Sequence, residues 1–490
     1  MLRRFYIVII WISGVITLVS CYGIPEKYTE TGKHPDIFPD IVNVTVPVNI
    51  APLNFRINET PGKTLVEFEG KDETLKICGK DQIRIPVRKW QKILEQNKAG
   101  ELIVTVYTKL EGKWSKHLHF RVFVKETPVD PYLVYRRIAP GYESWSRMGI
   151  YQRNISGFDE EPVIDNRMLT GNCMNCHSFS NNNPDKMMFH LRGKISGTII
   201  ADNGNMVKLD SRTKETKYNC VYPYWHPSGN YIAFSVNNIS QVFHTTAEKR
   251  IEVMDSESDL VVYDISENVL ITHKLISSEE SFETFPAFSS DGKEIFFCSA
   301  KRGNIPSEYK SIKYSLCKIG FDPASGTFGD RIDTLVSSAV TGKSISFPRP
   351  SPDRKYLMFT MSDYGNFSIW HREADLYLLD LKDGSFRPLD TVNSQETESY
   401  HSWSSESRWF VFSSRRTDGL YTRFYISWID ENGIPAKPFL LPQKDPDYYD
   451  YSLFSFNVPE FVTGRVGYNG RNMTNAIASD PKNVIFEAKE

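Results

Sequence analysis

The densest chemistry in the sequence is Asn172-Cys173-Met174-Asn175-Cys176-His177, which contains a C-x-x-C-H pentapeptide. With seven Cys and ten His in 490 residues, its chance occurrence is on the order of 0.002. Two thiols three positions apart can bond the two vinyl groups of a porphyrin, and the adjacent imidazole can then reach the iron. The pattern is therefore that of one covalent haem c on Cys173 and Cys176, with His177 as proximal iron ligand. The same atoms serve two other chemistries. Cys173 and Cys176 can close a disulfide, structural or redox-active, in an oxidising compartment. They can also hold a metal with His177, although no second C-x-x-C or H-x-x-x-H completes the usual zinc set.

A sixth iron ligand would have to come from nearby. Pro184-Asp185-Lys186-Met187-Met188-Phe189 reads as a polar turn followed by an apolar strand. Period two then places Met187, Phe189 and Leu191 on one face and Met188 and His190 on the other. His190 is the first candidate distal ligand and Met188 the second; Met188 reads equally well as core filler. His226, in Trp-His-Pro-Ser-Gly, reads as a turn residue before a ligand. Cys298 and Cys317 fall in neighbouring strands and can bridge if their Cα atoms lie within about 7 Å, whereas Cys78 and Cys220 read as buried thiols. Asp445, Asp447 and Asp450 among Tyr448, Tyr449 and Tyr451 form a candidate carbohydrate or cation rim, without EF-hand spacing. Gln241 to His244 and the acidic run Asp255 to Asp259 read as a long insertion between strands.

The N-terminus gives an address. Arg3 and Arg4 precede an apolar run from Phe5 to Val19, about 15 residues long and short of the roughly 20 needed to cross a bilayer. Leu18-Val19-Ser20-Cys21 resembles the bacterial lipobox. Residues 1–20 are thus expected to be a lipoprotein signal peptide and Cys21 the lipidated residue, with 21–39 a Gly- and Pro-containing tether. The expected location is the bacterial cell envelope, extracytoplasmic and lipid-anchored, at the periplasmic face of the outer membrane. The expected partners are the membrane and an envelope protein. A balance of 58 Lys+Arg against 60 Asp+Glu argues against nucleic acid.

The elements that must position the pentapeptide are strands. Asn43 to Val48, Leu65 to Phe68, Thr74 to Cys78, Gln82 to Val87, Leu102 to Thr108 and His117 to Val124 alternate at period two. Lys89 to Asn97 alone looks helical there. Residues 40–125 therefore read as an immunoglobulin-like β-sandwich without a Cys…Trp…Cys signature, and 126–170, rich in Pro, Tyr and Arg, as a connector.

From 171 to 490 a repeat takes over. Tyr222 to Phe234 matches Phe285 to Phe297, Phe347 to Phe359 and Tyr400 to Phe412. Each copy has an aromatic start usually followed by Pro, a short strand, a tight polar turn and an apolar strand, which is the pattern of a hairpin. Phe189 takes the register of Phe234, so the pentapeptide occupies the inner part of the first repeat unit. The slot of His190 is filled by Ser235, Cys298, Thr360 and Ser413 in the other copies.

These four units resemble the PD40 repeats of TolB-type β-propellers over roughly residues 170–450. The whole layout is similar to lipoproteins of Bacteroides-like bacteria that carry the loose label of cytochrome c biosynthesis proteins. The resemblance implies an all-β chain: a sandwich followed by a TolB-like or WD40-like propeller of about six blades. It is weak for function, because propellers serve both binding modules and enzymes. No G-x-S-x-G, Walker, dinucleotide or H-E-x-x-H motif is present, and no catalytic constellation can be nominated. The expectation is an anchored propeller scaffold carrying haem c in electron transfer or redox sensing. The alternative is a haem-free module that binds a protein or glycan and whose C-x-x-C is a disulfide.

Overall fold

A computed structural model describes residues 23–140, 147–169, 171–243, 251–468 and 470–489. The architecture is all-β and propeller-like, with short helices. The signal segment and Cys21 lie outside the described residues. Among the described residues no helix is long and apolar enough to cross a membrane.

Residues 29–125 form a seven-stranded sheet, a three-stranded sheet and the helix Val87–Gln96. The long strand Gly100–Leu110 pairs antiparallel with Lys63–Glu69, Lys113–Lys116 and Phe120–Lys125. Alternating burial along it (Leu102, Val104 and Val106 buried) follows from a sheet packed on one face. The helix closes that face with Trp90, Ile93 and Leu94. The expected tether is docked from Thr29 onward: Thr29–Glu30 pairs in parallel with Ser115 and Lys116, and Ile37–Phe38 pairs with Arg56 and Ile57.

Six further sheets follow, each built on a core of four antiparallel strands. Sheet 1 consists of Tyr132–Ile138, Gly149–Asn154 and Glu160–Asp165 with Ser455–Val462. Sheets 2 to 6 begin with Asn172–Phe179, Cys220–Trp225, Ser281–Phe288, Ser344–Pro350 and Glu398–Trp403. Each of these first strands packs against the first strand of the next sheet, and Ser455–Val462 packs against both Glu398–Trp403 and Asn172–Phe179. The series returns on itself. Residues 126–170 are therefore largely a sheet whose inner strand comes from the far end of the chain, and the pentapeptide lies in the second sheet of the ring.

The polar turns are hydrogen-bonded as the repeat demands. Ser289 N–H donates to Glu294 O and Ser351 N–H to Tyr356 O, both at 2.8 Å, with φ of 75° at Gly292 and 63° at Arg354. His226 fills the Ser slot of its turn. Its N–H donates to Tyr231 O at 2.9 Å and its ring Nε2 lies 3.1 Å from Gly292 O of the next sheet. It is a turn residue that stitches two sheets.

After Val462 the helix Gly470–Ala478 leads to Lys482–Asn483 and Ile485–Lys489, which add in parallel to the outer edges of sheets 2 and 3. Covered edges cannot template association.

Three sequence expectations are corrected. Cys298 and Cys317 are thiols, because Cys298 pairs with Leu316 and Phe297 with Cys317. One residue of offset sends their side chains to opposite faces. Cys78 is disulfide-bonded, whereas Cys220 is a buried thiol as expected. Asp445, Asp447 and Asp450 are occupied by Arg84 and Arg56 of the N-terminal domain, with Arg56 Nη1 3.0 Å from Asp447 and also paired with Asp450. They form an interdomain contact in place of a cation rim.

The N-terminal domain and sheet 6 share one apolar core. Trp409 is fully buried in it, and its Nε1–H donates to Thr127 O at 3.0 Å. Trp409→Ala is expected to cost about 3–5 kcal/mol of stability, read by urea denaturation, and to expose the segment around Thr127 to limited proteolysis before global unfolding.

Candidate functional site

All six inner strands carry a bulge at the same place. Pairing shifts register between Asn175 and Ser178, Val221 and Tyr224, Thr284 and Ala287, Ser346 and Arg349, and Ser399 and Ser402, and between Asn457 and Glu460 in sheet 1. The two residues inside each bulge are Cys176-His177, Tyr222-Pro223, Phe285-Pro286, Phe347-Pro348, Tyr400-His401 and Val458-Pro459. Tyr222, Phe285, Phe347, Tyr400 and Val458 all have φ between 47° and 54°. A non-glycine residue there costs roughly 1–2 kcal/mol, and the bulge re-aims its side chain. The second position makes no ladder bond, so Pro is tolerated. His177 and His401 are the two departures from Pro.

The bulges line a central cavity of about 1190 Å3. The long hairpin of sheet 3, Tyr231–Phe243 with Ile251–Asp264, reaches over it with Ile239, Gln241, Phe243, Ile251 and Val253. The acidic run lies within this hairpin, and His244 lies outside the described residues. Two contacts fasten the hairpin to sheet 5. Tyr364 O–H donates to Glu252 at 2.8 Å, and Asp255 accepts from Asn237 Nδ2 at 2.8 Å and from Asn366.

Cys173, Asn175 and His177 alternate along one strand and line the cavity. Cys173 is a buried thiol; the side chain of Cys176 lies outside the described set. His177 is 2% exposed, with Nε2 3.8 Å from Glu460 Oε1. Burial, with the Arg136 charge adding to it, holds its pKa down at about 3, so the ring is neutral. The carbonyls of Val134 and Val458 lie near it, yet neither ring nitrogen closes a hydrogen bond.

The two expected distal ligands lie elsewhere. Met188 packs with Ile200, Leu209, Cys220 and Trp225 in the core between sheets 2 and 3. His190 pairs across from Asn175, as Ser235, Cys298, Thr360 and Ser413 do from their partners. It is fully buried, with Nδ1 3.2 Å from Thr198 Oγ1. Neither residue lines the cavity, which the second strand of this sheet reaches with Arg192. The distal role is corrected on that ground. Among the described residues no three His, Cys, Asp or Glu side chains converge as a metal site.

Three cavity residues were not singled out from the sequence. His401 Nε2 donates to Met358 O at 3.0 Å, which assigns the lone pair to Nδ1. Glu460 accepts from Phe179 N–H at 3.1 Å, and burial pushes its pKa up to about 8. Arg349 lies 5.3 Å from the Tyr224 ring centroid and donates to Pro348 O at 2.9 Å. The His in the Pro slot of Tyr400-His401 was the available signal.

No family model matches the chain, and no curated protein matches it. Among solved structures it is similar to an ancestral GH74 enzyme (12% identity, TM-score 0.35, 64% of this chain and 39% of that one). It is also similar to prolyl oligopeptidase B from Galerina marginata (11%, 0.36, 80% and 54%). A third is a DUF4784 family protein from Bacteroides caccae (11%, 0.31, 86% and 98%). The chain thus spans less than two thirds of the length of the first two. At these values the likeness assigns neither activity nor ligand.

Asp255 supplies a pH test of the hairpin. Burial raises its pKa from 3.8 to about 7, against the opposing pull of Asn366 and Asn237, and its Oδ1 has no donor. The folded state therefore keeps a proton that the unfolded chain releases above about pH 4. The resulting stability is full below that pH and is lost as pH rises through about 7. Proteolysis of the hairpin should accelerate as pH rises from about 4 to about 7 in the native chain and level off above that, and Asp255→Asn should flatten the dependence.

Proposed function

We propose that the chain is a lipid-anchored envelope protein: a TolB-like propeller of six blades behind an N-terminal sandwich, carrying one covalent haem c in electron transfer or redox sensing. The observation that carries the reading is the wall formed by Cys173 and His177. A thiol and a buried neutral imidazole with two unpartnered ring nitrogens face one large cavity from a single strand. A buried polar group without a partner is costly, and an iron ligand bond would remove that cost. Cys173 and Cys176 would hold the porphyrin and His177 the iron, and the group would supply one-electron chemistry when bound.

The chain's own residues set the surroundings. Arg136 and Arg349 place positive charge at the cavity wall. The sheet 3 hairpin limits access of water, and the aromatic bulge residues offer a low-dielectric surface, which is how a protein tunes a redox group beyond its direct ligands. Met188 and His190 are too deep in sheet 2 to complete the coordination.

One observation favours the second reading, a haem-free binding module. His401 occupies the same register as His177 and uses Nε2 to clasp Met358 O of the preceding sheet. The carbonyls near His177 occupy the corresponding place in sheet 1. An imidazole at this position can therefore be an inter-sheet clasp.

Protein exported from cells with intact c-type haem maturation decides between them. The first reading expects a Soret band and haem that stays on the denatured polypeptide, both abolished in Cys173→Ala/Cys176→Ala. A colourless native protein from such cells overturns it.

A further inference from the structure

The cavity has two unlike halves. Sheets 3 to 6 bring Tyr222, Phe285, Phe347 and Tyr400 to it at the same bulge position. Their rings touch in series, with centroids 4.6, 4.1 and 4.8 Å apart. Sheets 1 and 2 have Val458 and Cys176 at that position and contribute Arg136, Asn175 and Asn457 to the lining. Phe285 and Phe347 are 1% and 4% exposed, so the half-buried Tyr222 and Tyr400 at the two ends of the run are the rings that offer a surface to a flat apolar body.

The charge is as uneven as the polarity. The described lining holds five arginines and one carboxylate, Glu460. Arg349 projects from the first strand of sheet 5. It enters no ion pair among the described residues. Its hydrogen bond there is the one to Pro348 O, which leaves the rest of its planar fork toward the cavity. Burial lowers its pKa. The carboxyl group that faces its charge is Glu460, which burial holds largely protonated, so an incoming anion can pair with the guanidinium, whose fork matches a carboxylate in two-point geometry.

We propose that the cavity is a binding site for a flat apolar molecule bearing a carboxylate, with its body on the aromatic half and its carboxylate paired with Arg349. Two sources carry this chemistry. One is the propionate groups of a porphyrin tethered at Cys173 and Cys176, in which case the inference rests on the haem reading above. The other is a free aromatic or polycyclic carboxylate, in which case it stands without that reading.

The test uses the full chain with Cys173→Ser/Cys176→Ser, which cannot tether a porphyrin. Protoporphyrin IX and its dimethyl ester serve as probes, followed by quenching of tryptophan fluorescence from Trp225, Trp370 and Trp403, which line the cavity. The acid is expected to bind at least tenfold more tightly than the ester. Arg349→Gln should erase most of that preference, and Arg349→Lys, a point charge without the fork, should keep part of it. Equal affinities, or no binding of either probe, overturn the proposal; this comparison requires no Arg349 variant to fold. The sources separate in the native chain. Covalent haem together with exclusion of added acid assigns the site to the propionates, and a colourless protein that binds the acid assigns it to a free carboxylate.

Discussion

The pairing of Tyr132–Ile138 with Ser455–Val462 is the constraint on which the rest depends. It joins the start of the ring to its end, and without it sheet 1 has no inner strand, and sheets 2 and 6 each face an open gap. The entropy of closing a loop grows only slowly with its length, by about 0.6 kcal/mol per doubling. A closure across several hundred residues is therefore not much harder to maintain than one across a hundred. The same strand pair fastens the N-terminal domain, because the chain reaches Tyr132 directly after Thr127 and Asp130. Asp130 accepts from Ser405 N–H at 2.8 Å, and Thr127 O accepts from Trp409. Domain docking and ring closure are one construction.

Closure also determines the chemistry of the cavity. Ser455–Val462 carries Glu460 to within 3.8 Å of His177 and places Val458 between two aromatic-bearing or thiol-bearing neighbours. The bulge repeated in every inner strand is locally unfavourable, at roughly 1–2 kcal/mol for each left-handed non-glycine residue. Ring pairs return about 0.5–1.5 kcal/mol each, so the aromatic half of the ring recovers much of this strain within itself. The half made by sheets 1 and 2 lacks such pairs at the bulge position, and is held by the closing ladder and by the apolar core of Val134, Ile150, Phe189 and Val462.

Much of this was legible where the signal is local. The turns around Ser289 and Ser351, and the equivalence of His190 with Ser235, Cys298, Thr360 and Ser413, follow from a repeat visible within a dozen residues, and the strand registers reproduce it. In the sequence sheet 1 reads as a connector, because its inner strand comes from the other end of the chain and its bulge lacks the aromatic start. The partners of Asp447 and Asp450 are more than three hundred residues away, and no pattern in the acidic segment announces Arg56. Met188 and His190 were placed on the correct alternating face of their strand. Along that face Arg192 reaches the cavity while Met188 and His190 are buried within the sheets, because alternation assigns a side and not a depth.

The two imidazoles in the Pro slot carry the sharpest argument about function. His401 and His177 share register, burial and depressed basicity. His401 has a carbonyl for its N–H and thereby a defined tautomer. His177 has the corresponding carbonyls nearby and bonds neither of them, while a carboxyl group that burial keeps protonated lies beside it. The same register has thus produced one imidazole with a single inter-sheet bond and an unpartnered Nδ1, and one with neither ring nitrogen bonded. The local sequence difference is that His177 follows a cysteine pair and His401 follows Ser399 and Tyr400. If the clasp were the purpose of both residues, sheet 2 would need only the His. The two cysteines ahead of it are superfluous to a clasp, and the haem reading proposed above is the one that gives the orphaned ring and the cysteine pair a common role.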